Sequence, residues 1–192
     1  YEKIFNYCKK IKIDFIITPF DLECIDFFKN KVKYFKISSS DITNLPLIEK
    51  IADTKKPVIL STGASNILEI KRAYKILRKK VKKIILLHCI LNYPTTKFNV
   101  NLKMIYDIKK IHNIVGLSDH TIPKDSHKVL LYSYLMGVRI IEKHFTTNKK
   151  KKGNDHFHSF DKKDLKIFFN NIDEANILMG KEKKNYLKTE II

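Results

Sequence analysis

Cysteine is scarce in this sequence: Cys8, Cys24 and Cys89 are an odd number with no close pair. That argues against a disulfide framework and against a thiolate zinc site, and makes the cytoplasm the expected compartment. Long apolar runs are missing too. The purely apolar stretches are short, such as IILL at 84–87, against the roughly 20 residues needed to cross a bilayer, so no membrane span is expected. The opening YEKIFNYCKKIKI starts on Tyr1 and has neither the apolar stretch nor the small-residue cleavage site of a secretory signal. It reads as the interior of a gene product. No GxGxxG and no GxxxxGK[ST] loop occurs, which weighs against dinucleotide and P-loop chemistry.

Arginine is nearly absent from a strongly basic chain. Of 38 basic residues only Arg72, Arg78 and Arg139 are arginine, and the net charge is +18. Readers of bases and phosphates usually exploit arginine's planar fork, whereas here lysines are spread along the chain in CKKIK, LRKKVKK, NKKKKGN and GKEKKNYLK. A solvated surface with a compositional bias explains this pattern, and nucleic-acid binding is the minor alternative. With 192 residues and 44% hydrophobic content, the chain suffices for one domain with a sizeable core.

What is present is a repeat. Six apolar, β-branched runs read as buried parallel strands: FIITP (15–19), YFKIS (34–38), VILST (58–62), IILLHC (84–89), IVGLSD (114–119) and RIIEKHF (139–145). Helical patterns lie between them. SNILEIKRAYKILRKK has Ser65 as candidate N-cap and sets Ile67, Ile70, Tyr74 and Leu77 on one face. NLKMIYDIKKIH follows, then DSHKVLLYSYLMG stopped at Gly137, and a last amphipathic run ends at Gly180. This is a βα repeat.

A doubly wound sheet and a (β/α)8 TIM barrel with units missing both fit such a repeat. The strand ends favour the barrel. Each carries polar chemistry: Thr18, Lys36 with Ser38 and Ser39, Ser61 with Thr62, His88 with Cys89, Ser118 with Asp119 and His120, then Glu142 with Lys143 and His144. A doubly wound sheet concentrates its site at one switch point, whereas a barrel collects groups from the carboxyl ends of many strands. The two-residue period puts Glu142 and His144 on one face of their strand, Ser118 and His120 on one face of the preceding strand, and Lys143 and Asp119 on the opposite faces. Each histidine alone is a hydrogen-bonded core residue. Two at matching strand ends beside a carboxylate point instead to an oxygen- and nitrogen-bound divalent ion such as Mn²⁺, Fe²⁺ or Zn²⁺.

TPFD (18–21), FKISSSDITNLPLIEKIADTKKPVILSTG (35–63), HCILNYPT (88–95), GLSDHT (116–121) and EKHFT followed by GNDH (142–156) together resemble the sialic acid synthase family. That family includes legionaminate and pseudaminate synthases and a spore-coat polysaccharide protein, and the resemblance covers nearly the whole chain in order. It implies a (β/α)8 barrel of which this chain holds six units, the family's strands three to eight. The first two units and the small C-terminal antifreeze-like domain are expected to be absent, so that either the chain is a fragment or another chain completes it. The implied reaction is a metal-dependent condensation of phosphoenolpyruvate with an N-acylated mannosamine, such as N-acetylmannosamine, to give a nonulosonic acid and phosphate.

The resemblance also implies roles. His120 and His144 fall on the two metal ligands, usually for Mn²⁺, with Mg²⁺ and Fe²⁺ left open. Thr18, Lys36, Ser39, Ser61 and Ser118 match the phosphoenolpyruvate positions. Tyr93, Glu142 and Asp155 match positions lining the acceptor sugar, and Asp41 stands where an acidic residue lies near the reacting centre. A homodimer is implied as well. Leu91 departs from the pattern, since Ser or Asn is usual there, and a truncated, catalytically silent relative that binds sugar or phosphate is therefore the alternative. Other residues read as structural: His156 and His158 as solvated or sugar-contacting, His112 and His127 as surface or satisfied, Cys89 as a packed thiol, and Phe157, Phe160, Phe168 and Phe169 as helix-to-barrel packing. If the positive charge is a solvated surface, the protein should pass over DNA-cellulose with little retention at about 0.15 M salt. Retention falling steeply with salt would instead support nucleic-acid binding.

Overall fold

The computed structural model describes residues 1–190. Five strands form one parallel sheet: β1 (Phe35–Ile37), β2 (Val58–Ser61), β3 (Ile84–Cys89), β4 (Val115–Asp119) and β5 (Ile141–Lys143). Their spatial order follows the chain, β1-β2-β3-β4-β5. A doubly wound sheet must reverse strand order at a switch point. Here the order never reverses, so the sheet is not doubly wound but a single parallel arc, the arrangement found in part of a TIM barrel.

Among the described residues seven α-helices accompany it: α1 (Glu2–Lys10), α2 (Leu22–Phe28), α3 (Leu45–Asp53), α4 (Ile67–Arg78), α5 (Met104–Lys109), α6 (Pro123–Leu135) and α7 (Lys162–Met179). Helices α3 to α6 each connect two neighbouring strands. Their apolar stripes, such as Leu47, Ile48 and Ile51 of α3 and Ile70, Ala73 and Leu77 of α4, are buried. The two-residue period then sorts the strand residues. Phe35, Ile37, Val58, Leu60, Ile84, Leu86, Val115 and Leu117 join the helices in one apolar cluster. Their neighbours Lys36, Ser61, Cys89 and Ser118 look the other way and line a cavity.

Several expectations need correction. Segment 15–19 is not a strand; only Ile17 pairs, in a single parallel bridge to Phe35. This segment has a hydrogen-bonding neighbour on one side alone, and one bridge with the bond from Lys36 N–H to the Ile17 carbonyl, 2.9 Å, is all it forms. The sheet therefore has five strands where six were expected. The N-cap of α4 is Asn66, not Ser65. The Asn66 amide oxygen accepts from Leu68 N–H and Glu69 N–H at 2.9 and 3.1 Å, while Glu69 Oε2 accepts from Asn66 N–H at 2.8 Å. A capping box with glutamate three residues on selects Asn66, and the Ser65 hydroxyl turns back to the Thr62 carbonyl. Phe160 is buried as expected and Phe168 packs on the core, but Phe157 and Phe169 are 48% and 55% exposed. Gly137 (φ +90°) and Gly180 (φ +58°) do end α6 and α7. Among the described residues no helix is long and apolar enough to cross a membrane.

Gly116 in β4 marks a close backbone approach. A Cβ there would lie 2.5 Å from the Ile140 carbonyl oxygen and 2.6 Å from Leu87 Cδ2. Backbone cannot yield as a flexible side chain does, so Gly116→Ala is expected to lower unfolding free energy by about 1–3 kcal/mol, read from the urea midpoint. An unchanged midpoint would mean that β4 and β5 are not packed this closely.

Candidate active site

The strands' carboxyl ends surround a cavity of about 420 Å³. One wall carries an amine and hydroxyls: Lys36, Ser38, Ser39, Ser61, Ser118 and Thr18 all line it. Lys36 comes from β1, and its Nζ stands 3.4 Å from Glu142 Oε2, across the sheet at β5. Glu142 Oε1 accepts from the Ser118 hydroxyl at 2.7 Å. The carboxylate is thus held at both oxygens, by an ammonium and a hydroxyl. Ser39 Oγ accepts from Gly63 N–H at 2.9 Å; a Cβ on Gly63 would lie 2.9 Å from that same oxygen, so glycine permits this approach. The Ser61 hydroxyl is buried and has no protein partner among the described residues.

The other wall is aromatic. The Tyr93 ring lies 4.1 Å from that of His120 and 5.8 Å from that of His144. The His120 and His144 centroids are 5.4 Å apart. His120 Nδ1 is 3.0 Å from the Ile90 carbonyl oxygen. A carbonyl only accepts, so Nδ1 carries the hydrogen and Nε2 keeps its lone pair. Burial, chiefly, pushes the His120 imidazole below the usual histidine range, and the same cause lowers His158. Both are therefore neutral near pH 7, the form that binds metals. Burial also pushes the Tyr93 phenol up to about 12, so it remains a hydrogen-bond donor.

A loop brings two more groups to this wall. Phe160 N–H donates to the His144 carbonyl at 2.9 Å and Thr146 N–H to the Phe160 carbonyl at 2.8 Å, which closes residues 146–160 back onto the end of β5. Within it the Asp155 carboxylate reaches 3.7 Å from His144 Nδ1. His158, expected to be solvated or sugar-contacting, is instead wholly buried, with its ring centroid 5.1 Å from that of His144. Asp41 does not line the cavity; its carboxylate accepts from the Asn44 amide and the Ser40 hydroxyl. Leu91 stands at the rim, 40% exposed. His88 Nε2 lies 2.8 Å from the Val100 carbonyl oxygen and the Cys89 thiol is raised by burial, so both read as packing groups.

On the opposite face of the same strand ends, where the two-residue period places Asp119 and Lys143, is a second polar set. Asp119 is 3% exposed and accepts from Thr121 N–H, the Thr121 and Ser126 hydroxyls and Lys143 Nζ, the last at 2.8 Å. Lys143 also donates to the Thr121 carbonyl at 2.6 Å. The residues that follow this pair in the chain are His120 and His144.

The NeuB family model matches residues 1–184. The chain is 45% identical over 193 residues to an uncharacterised protein of Methanocaldococcus jannaschii, covering 99% of this chain and 56% of that protein. It is 40% identical over 195 residues to the N,N'-diacetyllegionaminic acid synthase of Campylobacter jejuni, covering 99% of this chain and 58% of that one. Among solved structures, the sialic acid synthetase of Leptospira borgpetersenii is similar with a TM-score of 0.85 at 31% identity, covering 98% of this chain and 67% of that chain. The chain thus spans a little over half the length of these two curated relatives.

Removing one partner of a buried ion pair leaves an uncompensated charge. Asp119→Ala is therefore expected to cost about 3–5 kcal/mol of unfolding free energy, measured by urea titration. A loss below about 1 kcal/mol, the range of exposed pairs, would remove the pair from its place in this description.

Proposed function

The chain belongs to the NeuB family, and from that premise we propose that it carries the site for condensing phosphoenolpyruvate with an N-acylated mannosamine-type sugar, giving a nonulosonic acid and phosphate. One observation supports this reading above the others. A single cavity has an amine with a ring of hydroxyls on one wall and two imidazoles on the other, with Glu142 held between them. The first wall suits a phosphate and a carboxylate; the second suits a cation and the sugar.

Lys36, Thr18, Ser39, Ser61 and Ser118 hold phosphoenolpyruvate in this reading. Lys36, whose side chain is 9% exposed, offsets the phosphate charge, and a contact made from a buried amine counts for more than one in water. His120 and His144 hold the divalent ion, with Mn²⁺ proposed. The residues fit such an ion, since His120 keeps an unshared lone pair on Nε2 and His158 has buried nitrogens without protein partners among the described residues. When bound, the ion supplies Lewis-acid polarisation of the acceptor's aldehyde oxygen.

The bond forms between C3 of phosphoenolpyruvate and the aldehyde carbon. Water adds at C2, and the resulting tetrahedral centre expels phosphate. Glu142, oriented by Ser118 and Lys36, is the group placed to hold or deliver the proton that the new hydroxyl needs. Asp155 and Tyr93 line the acceptor side. Asp41, turned to Asn44, receives no role. We further propose that the chain represents units three to eight of an eight-unit barrel, that the rest of the wall comes from two further units and a C-terminal domain, and that the assembled protein is a homodimer. Leu91 at the rim favours one other reading, a silent relative that binds sugar or phosphate without turnover.

The protein as its native source produces it is the material for the test. Phosphate release should require phosphoenolpyruvate, N-acetylmannosamine or a related hexosamine, and Mn²⁺ together, and should stop with EDTA. His120→Ala should reduce it by at least about 100-fold, given what disturbing even the support of a metal ligand does. Cation binding without turnover on any N-acylated hexosamine would turn the assignment to the silent relative, and turnover unchanged in His120→Ala would remove the metal role.

A further inference from the structure

The loop between β5 and α7 buries an imidazole with nothing to bond. His158 is 0% exposed, and among the described residues neither Nδ1 nor Nε2 has a protein partner. Leaving a buried donor or acceptor unsatisfied costs about 1–3 kcal/mol, so an imidazole held in this way calls for an explanation. Its neighbours do not supply a hydrogen bond. Phe157 meets the ring edge-on at 5.1 Å and Tyr93 at 5.7 Å.

What the ring does face is a set of metal-binding atoms. His144, Asp155 and His158 each place one nitrogen or carboxylate oxygen within 4.8 Å of the other two. Metal–ligand bonds of about 2.1 Å put neighbouring tetrahedral ligand atoms about 3.4 Å apart, so the group needs to contract by at most about 1.4 Å around an ion. The Asp155 oxygen and His144 Nδ1 are already at 3.7 Å. The backbone pairing of Phe160 with His144 and Thr146, together with the bond of the Ser159 hydroxyl to the Asp155 carbonyl, holds the loop in this position.

We propose that His158 is a ligand of a divalent cation, in a site completed by His144 and Asp155. The proposal rests on the reading that this cavity holds a cation, and deepens it by changing the donor set. Two imidazoles become three when His120, whose ring lies 5.4 Å from that of His144, is counted with them. Three nitrogens and one carboxylate favour Zn²⁺, Fe²⁺ or Co²⁺ over Mg²⁺. Asp155 is the exposed member and keeps a second oxygen for the acceptor sugar.

The test is cation binding by chelator-stripped protein, with Co²⁺ followed by its visible absorption and Zn²⁺ by the rise in unfolding temperature. His158→Phe keeps the ring's bulk and burial and removes both nitrogens; His158→Gln is the second variant if the first does not fold. The expected result is a loss of Co²⁺ affinity of about tenfold or more, which is what disturbing a ligand's support already produces, with altered Co²⁺ bands, a smaller Zn²⁺-induced rise, and an apo-protein at least as stable as the parent. Unchanged affinity and spectrum in both variants, with binding lost in His144→Ala, would overturn the role of His158 and leave the cation reading standing. No binding of either ion by the parent protein would overturn both.

Discussion

The pair between Asp119 and Lys143 is the constraint on which the rest of the site depends. Both side chains are nearly inaccessible, at 2% and 8%, and burial alone pushes the Lys143 amine down. Two buried charges of this kind persist only when their remaining hydrogen-bonding capacity is met. Here it is met by Thr121 and Ser126 around the carboxylate and by the Thr121 carbonyl on the amine. The pair therefore fixes β4 against β5 in the register Asp119↔Lys143. In extended chain the next residue must face the other way, and those residues are His120 and His144. An ion pair on the helix side of the sheet thereby holds two imidazoles together on the cavity side.

The same alternation divides the whole sheet into a side that packs on the helices and a side that lines the cavity. Apolar residues of β1 to β4 meet the helices, while the intervening residues supply the cavity. Because the strands are parallel and their order never reverses, every carboxyl end opens on the same space. That is how Lys36 of β1 reaches Glu142 of β5 across three intervening strands. Gly63 and Gly116 serve this arrangement in different ways, the first letting Ser39 approach the backbone and the second letting β4 and β5 close up.

Features governed by local periodicity were legible in the sequence. The residue types in IILLHC, IVGLSD and RIIEKHF give both strand and facing, and glycine marks the ends of α6 and α7, because these depend on neighbours a few residues away. Features that depend on distant chain were not legible. Segment 15–19 is as β-prone as the strands, yet it pairs only through Ile17, since a strand needs partners as well as propensity. His158 reads as a loop residue after four lysines, and its burial follows from Phe160 pairing back to His144. Asn66 displaces Ser65 as cap through Glu69, a spacing that was visible and could have been used.

Charge makes the same point about position. Most of the 38 basic residues define a surface, whereas Lys36 and Lys143 are lysines whose side chains are less than one-tenth exposed and which face carboxylates. They differ in what remains to be bonded. Lys143 donates to Asp119 Oδ2 at 2.8 Å and to the Thr121 carbonyl at 2.6 Å, with the Asp119 carbonyl at 3.4 Å, so two of its three protons are firmly bonded and it is structural. Lys36 makes only long contacts, 3.3 Å to the Ile37 carbonyl and 3.4 Å to Glu142. Its donor capacity is largely unspent and points into a cavity lined with hydroxyls. Of the two buried lysines, the one with weaker bonds is the one able to bind an incoming anion.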